Sequence, residues 1–76
     1  MIRELDTVVL LEDDETHDLR LGDIGVVVHA YQDGAAYEVE FITGSGETIA
    51  VLTLKSDAVR PLRAHEILHA RELSFS

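Results

Sequence analysis

The sequence predicts a small all-β protein, a five-stranded antiparallel barrel. Its apolar residues fall in short, strand-length runs separated by turn residues, as in small barrels. One of these runs alternates strictly between apolar and acidic residues, which is typical of a half-buried strand. The length of 76 residues is enough for one domain only. Because the chain has no cysteine, neither a disulfide nor a thiolate metal site supports the core.

The first two predicted strands are the most apolar. The first covers Thr7 to Leu11 and is rich in β-branched and large apolar residues. The stretch from Glu12 to Asp18 is too charged to be buried and predicts an exposed loop. After the turn residues Leu21-Gly22-Asp23, the second strand covers Ile24 to Tyr31. Gly25 within this strand indicates a bulge or sharp bend of the kind that closes a small barrel.

The third strand has the clearest pattern. Asp33-Gly34 predicts the hairpin turn before it, because this pair accepts the positive φ that such turns need. Tyr37 to Phe41 then places three apolar residues on one face and two glutamates on the other. The predicted core joins this apolar face to residues of the other strands: Val9, Leu11, Ile24, Val26, Val28, Tyr37, Val39, Phe41 and Leu52.

Two further strands and a helix complete the prediction. A turn precedes the fourth strand, Thr48 to Leu54, and the short fifth strand, Val59-Arg60, ends at Pro61. Leu62 to Leu73 is rich in Ala, Glu, Leu and Arg, and predicts a short helix with one shared face: Ala64, Ile67, Leu68 and Arg71. We therefore expect a barrel at residues 1–62 and a C-terminal helical extension at residues 63–76 that is not a separate domain.

The charge of the chain limits its partners. Fifteen acidic residues against six basic ones give a net charge of −9, which repels nucleic acid and anionic lipid. Such charge either keeps the protein soluble or attracts a basic protein partner. No apolar run approaches the roughly 18 residues of a membrane span. Met1 to Asp6 also lacks the features of a signal peptide, so we expect a cytoplasmic protein.

A family resemblance supports the barrel. Leu21 to Val28 resembles the turn-and-strand signature of KOW-type, SH3-like barrels. From Leu5 to Leu62 the chain is similar to a bacterial group of small proteins, the domain-of-unknown-function family 4926. The further residues that carry this similarity are Glu12-Asp13, Tyr37 to Phe41, Glu47-Thr48, Leu52-Thr53-Leu54 and Arg60-Pro61.

The resemblance implies an SH3-like fold and assigns no catalytic residue and no cofactor. KOW-type domains often bind RNA or the transcription and translation machinery, but this chain lacks their basic face. Genes of the similar family often lie beside that of another small protein, which implies an immunity-like or antitoxin-like partnership. Nucleic-acid binding through a KOW-like face is one alternative function.

His65-Glu66-Ile67-Leu68-His69 spells the HExxH pattern of zinc peptidases. On a helix, both histidines would face one zinc ion while the glutamate activates water. A small metal-dependent hydrolase is therefore a second alternative. However, seven residues after His69 leave little room for a third ligand, and a small barrel lacks a substrate cleft. We therefore expect the HExxH residues to be ordinary polar positions, with no enzyme activity and no bound metal. His65 and His69 are weak candidates for metal ligands only.

The acidic loop is the predicted binding site. Its carboxylates do not follow the alternate spacing of an EF-hand. In similar folds, the loop between the first two strands lies at the rim used for ligand capture. We therefore predict a solvated loop that also docks a basic protein through these residues: Glu12, Asp13, Asp14, Glu15 and Asp18.

Two strands predict self-association. In Val26-Val27-Val28 and Ile49 to Leu52, both faces are apolar, yet a barrel interior takes only one face of each strand. Either the C-terminal helix or a second copy must cover the other face. We expect a homodimer.

Overall fold

The computed structural model describes residues 1–73, which form an all-β structure with two single-turn 3₁₀-helices, at Glu15–His17 and Ser56–Ala58. Within these residues, no helix is long and apolar enough to cross a membrane. The prediction of five antiparallel strands is confirmed. The strands are β1 (Thr7–Leu10), β2 (Ile24–Ala30), β3 (Ala36–Ile42), β4 (Thr48–Lys55) and β5 (Val59–Pro61).

The sheet has the order β4-β3-β2-β1-β5 and is curved into a barrel-like shape. The sheet has two halves, β1 with β5 and β3 with β4, and β2 joins them. The first residues of β2 pair with β1 and its later residues pair with β3. The register shifts between Val27 and His29, so the bulge lies beyond Gly25. Gly25 instead allows a close approach of β3, since a Cβ there would lie 2.6 Å from Val39 Cγ1. The bulge after Val27 and the absence of a side chain at Gly25 allow both halves of the sheet to pack on the same core.

The predicted core is correct on β3 and at Val9 of β1, which is 6% exposed, and is wrong at Leu11 and in phase on β2. Tyr37, Val39 and Phe41 are buried as expected. On the other two strands, the core contains Val8, Leu10 and Val27, whereas Leu11 and Val28 are 38% and 41% exposed. Both faces of these two strands are apolar, so no polar alternation marks which side turns inward. Leu52 is only half-buried.

The C-terminal segment is not helical, so the predicted helix is wrong. After a turn at residues 64–65, residues 66–73 have no regular secondary structure, and we call residues 62–73 the strap. Short helices are marginal without packing to support them. Two ion pairs, Arg60–Glu66 and Arg71–Asp23, instead fix the strap against the sheet, near Val9. The last residues of the expected extension, 74–76, lie outside the described residues.

Candidate functional site

Three loops meet at one end of the sheet. The Leu11 N–H donates to the Ala58 carbonyl at 2.8 Å, and the Ser56 N–H donates to the Ala35 carbonyl at 3.0 Å. These bonds join the β1–β2 loop and the β2–β3 turn to the second 3₁₀-helix. We call the acidic residues of these three segments the acidic rim: Glu12, Asp13, Asp14, Glu15, Asp18, Asp33 and Asp57.

Two predicted partner-binding residues also order their own loop. The Asp13 carboxylate accepts a hydrogen bond from the Leu21 N–H at 2.8 Å. The Asp14 carboxylate caps the first 3₁₀-helix, accepting from the His17 N–H at 3.2 Å. Leu19, which is 4% exposed, anchors the loop in the core. The loop therefore holds its charges in a defined arrangement.

The other predicted residues present their charge to solvent. Glu12, Glu15 and Asp18 are exposed, and their carboxylates make no hydrogen bond within residues 1–73. Asp18 adopts a left-handed conformation at φ 55°, which an aspartate tolerates better than most residues. The structure thus brings all five predicted residues into one loop, where three face solvent and two also bond to the backbone.

The HExxH residues lie in the strap. Because the segment is not helical, it lacks the helical turn that would align His65 and His69, and both are exposed. Both Glu66 carboxylate oxygens accept hydrogen bonds from the Arg60 guanidinium, at 2.7 and 2.6 Å, and Arg63 N–H donates a third. The bonds from Arg60 are the main reason that the pKa of Glu66 falls to about 2. Among residues 1–73, no three His, Asp or Glu side chains are grouped to hold a metal.

Arg71 forms the second anchor of the strap. Its Nε donates to Asp23 Oδ1 at 2.9 Å and its Nη2 to Asp23 Oδ2 at 2.6 Å, and Nη2 also donates to the Asp18 carbonyl at 2.7 Å. The side chains of Arg71 and Asp23 are 18% and 11% exposed. Burial raises the pKa of Asp23, but bonds from Arg71 and from the Arg20 N–H outweigh it, so the net pKa is lowered. The sequence marked Asp23 only as a turn residue, since no local pattern links it to Arg71.

A groove of about 570 Å³ lies beside this ion pair, between the strap and the sheet. Strap residues 69–73 form one wall, and Asp23 lies at the edge. The side opposite the strap is mainly apolar and consists of Leu19 from the β1–β2 loop and four residues of the sheet: Ile24, Phe41, Ile42 and Ile49.

Two glutamates lie on the outer face of β3. Glu38 accepts hydrogen bonds from the Thr53 and Tyr31 hydroxyls. These bonds lower the pKa of Glu38, and the bond from Thr53 has the larger effect. Glu40 accepts from the Thr48 hydroxyl at 2.7 Å. The bonds to Glu38 favour its charged form. Val51, which pairs with Glu40 across the two strands, is 50% exposed.

One comparison identifies a family. No curated protein and no solved structure matches the chain. A family model described as a domain of unknown function (DUF4926) matches residues 4–61. This match spans all five strands and ends where the strap begins. The chain belongs to the DUF4926 family.

Proposed function

We propose that the protein is a non-enzymatic binding module that docks a basic protein at the acidic rim. Glu12, Asp13, Asp14, Glu15 and Asp18 are the proposed contacts. The observation that carries the proposal is that the acidic β1–β2 loop is joined, through the second 3₁₀-helix, to the β2–β3 turn, and that the helix and the turn each add one aspartate. Fixed negative charge attracts a basic surface and speeds the encounter more than it strengthens the final complex.

The order of the loop supports this role. Asp13 and Asp14 are held by backbone N–H groups, and Leu19 is buried beneath them. A site that is already ordered loses less conformational entropy when a partner binds. Glu12 and Glu15 remain free to pair with lysine or arginine.

We also infer that the sheet is an SH3-like barrel whose ligand side is this rim. The partner would be a small basic protein in the cytoplasm of a bacterium, and the pairing would be immunity-like or antitoxin-like. The support is the strand order, the family and the net charge of −9.

The test removes charge without disturbing the loop. Glu12→Gln with Glu15→Gln leaves Asp13 and Asp14 in place, so the loop should keep its fold. Glu4→Gln with Glu47→Gln removes the same charge from exposed positions outside the rim. Basic proteins captured from a bacterial lysate at low salt should associate more slowly with the rim variant and at the normal rate with the control. Equal association rates for both variants would contradict the proposal.

We further propose a homodimer. β4 ends the strand order, so one of its edges pairs with no other strand of the described chain. From Thr48 to Leu54 this strand carries no charge, and Val51 on its outer face is 50% exposed. Long uncharged edge strands are sites of pairing with another chain.

A further inference from the structure

The Arg71 site has the geometry of an arginine receptor. Two guanidinium nitrogens meet both oxygens of Asp23, and one of them also reaches the Asp18 carbonyl. Lysine cannot form such a fork, because its ammonium group is a point charge. Asp23 is itself fixed by the Arg20 N–H at 2.8 Å. These acceptors belong to residues 4–61, the part that matches the family, whereas Arg71 belongs to the strap.

The groove beside this site offers room for a peptide. It is an open space of about 570 Å³ with the strap in place, and release of the strap would widen it. The apolar sheet side would receive apolar side chains next to an arginine in Asp23. The strap itself carries this combination, with Arg71 followed by Leu73, and both residues line the groove.

The strap is held mainly by its ion pairs. Within the described chain, residues 67–73 form no backbone hydrogen bond to the sheet. Ile67 and Leu68 are 94% and 68% exposed, so they bury little apolar surface. Release of Arg71 would therefore free the end of the strap and leave the five strands unchanged.

We propose that Asp23 and the groove beside it form a binding site for extended, arginine-containing peptide segments, and that Arg71 of the strap occupies the arginine position at Asp23 as an internal ligand. The inference deepens the proposed function, since it names the feature of a basic partner that docks beside the acidic rim. A partner segment with an arginine and a nearby apolar residue displaces Arg71 from Asp23 and fills the groove.

The test uses the full chain and a labelled peptide with the sequence of residues 67–73. In Arg71→Ala the internal ligand is released, so the peptide should bind about tenfold more tightly than to the unaltered protein, measured by fluorescence anisotropy. A second peptide with lysine in place of arginine should bind Arg71→Ala about tenfold more weakly, because the fork of hydrogen bonds is lost. Amide NMR signals of β3 report that the variant is folded.

Equal affinity of the peptide for both proteins would overturn the proposal, as would equal affinity of the two peptides for Arg71→Ala. The result is separable from the rim test. Slower association of Glu12→Gln with Glu15→Gln, combined with no peptide preference, would leave the proposed function in place and remove the arginine site.

Discussion

At Gly25, β2 lies directly against β3, with no room for a side chain. A methyl group there would lie 2.6 Å from Val39 Cγ1 and 2.9 Å from Phe41 Cε1, both in the core. We expect Gly25→Ala to lower the free energy of unfolding by about 2–3 kcal/mol, measured by urea denaturation. Gly44→Ala is the control, since nothing lies within 4 Å of its added Cβ, and its effect should stay within about 0.5 kcal/mol. Similar losses for both variants would contradict this account.

Single residues of the site were predictable by type and not by role. The charge of the β1–β2 loop is plain in the sequence, and the structure confirms that residues 12–18 lie between β1 and β2. Asp13 also orders its own loop, by accepting a hydrogen bond from the Leu21 N–H. Asp23 anchors the strap by pairing with Arg71, 48 positions away. Such partners are set by the folded chain, so no spacing rule indicates them.

Single strands show when a pattern determines the buried face. β3 alternates apolar and acidic residues, and its core side was predicted correctly. β1 and β2 lack polar residues at the decisive positions, and the bulge between Val27 and His29 changes the phase further. Strand positions were therefore predictable, whereas the inward side was predictable only where polar residues marked the other side.

The strap should detach in acid. The folded pKa of Glu66 is depressed to about 2, so its contribution is complete above the ordinary glutamate pKa of about 4.3 and is lost as the pH falls toward 2. The ion pair of Asp23 with Arg71 also weakens as the pH falls, because the pKa of Asp23 is lowered in the folded protein. Amide NMR signals of Ile67 to Ala70 should shift in this window before those of β3. Glu66→Gln is the control, and in this variant most of the pH-dependent change in the amide signals near Arg60 should be lost. The same pH dependence in the variant and in the unaltered protein would show that Glu66 is not its cause.

The HExxH residues of the strap should hold no stoichiometric zinc and support no peptidase activity. The segment is not helical, and both carboxylate oxygens of Glu66 accept hydrogen bonds from Arg60. Zinc measured after dialysis should stay far below one ion per chain, and His65→Ala with His69→Ala should leave it unchanged. One tightly held zinc per chain that is lost in this double variant would overturn the prediction.

At the scale of the whole molecule, the inner face of the sheet is covered unevenly. The inner residues of β3 are buried, but those of β4, Ala50, Leu52 and Leu54, pack on the core and stay only half-buried. On the outer face of β4, Val51 is 50% exposed. It lines neither of the two cavities beside the strap, so the strap does not cover it. A second copy paired at the edge of β4 would place its own β4 side chains beside these residues on each face.

Charge favours an antiparallel arrangement of that dimer. Each chain carries a net charge of −9, and β4 runs toward the acidic rim at Lys55. Pairing β4 with β4 around a two-fold axis at Val51 places the two rims at opposite ends of the joined sheet. The strand has eight residues, or roughly 26 Å at about 3.3 Å per residue, which exceeds the Debye length of about 8 Å in physiological salt. Repulsion between the rims is therefore small in this arrangement and large in a parallel one.

The axis at Val51 also provides the test. In the proposed dimer, Val51 would lie opposite its own copy, so Val51→Lys would set two like charges side by side and should give a monomer. The position is half exposed, so the monomer should remain folded. Leu68→Lys introduces the same charge at an exposed apolar residue of the strap and should leave the dimer intact. Light scattering at high micromolar concentration should give twice 8.4 kDa for the unaltered protein and for Leu68→Lys, and 8.4 kDa for Val51→Lys. A monomer mass for the unaltered protein would remove the dimer and leave the β4 edge open to solvent.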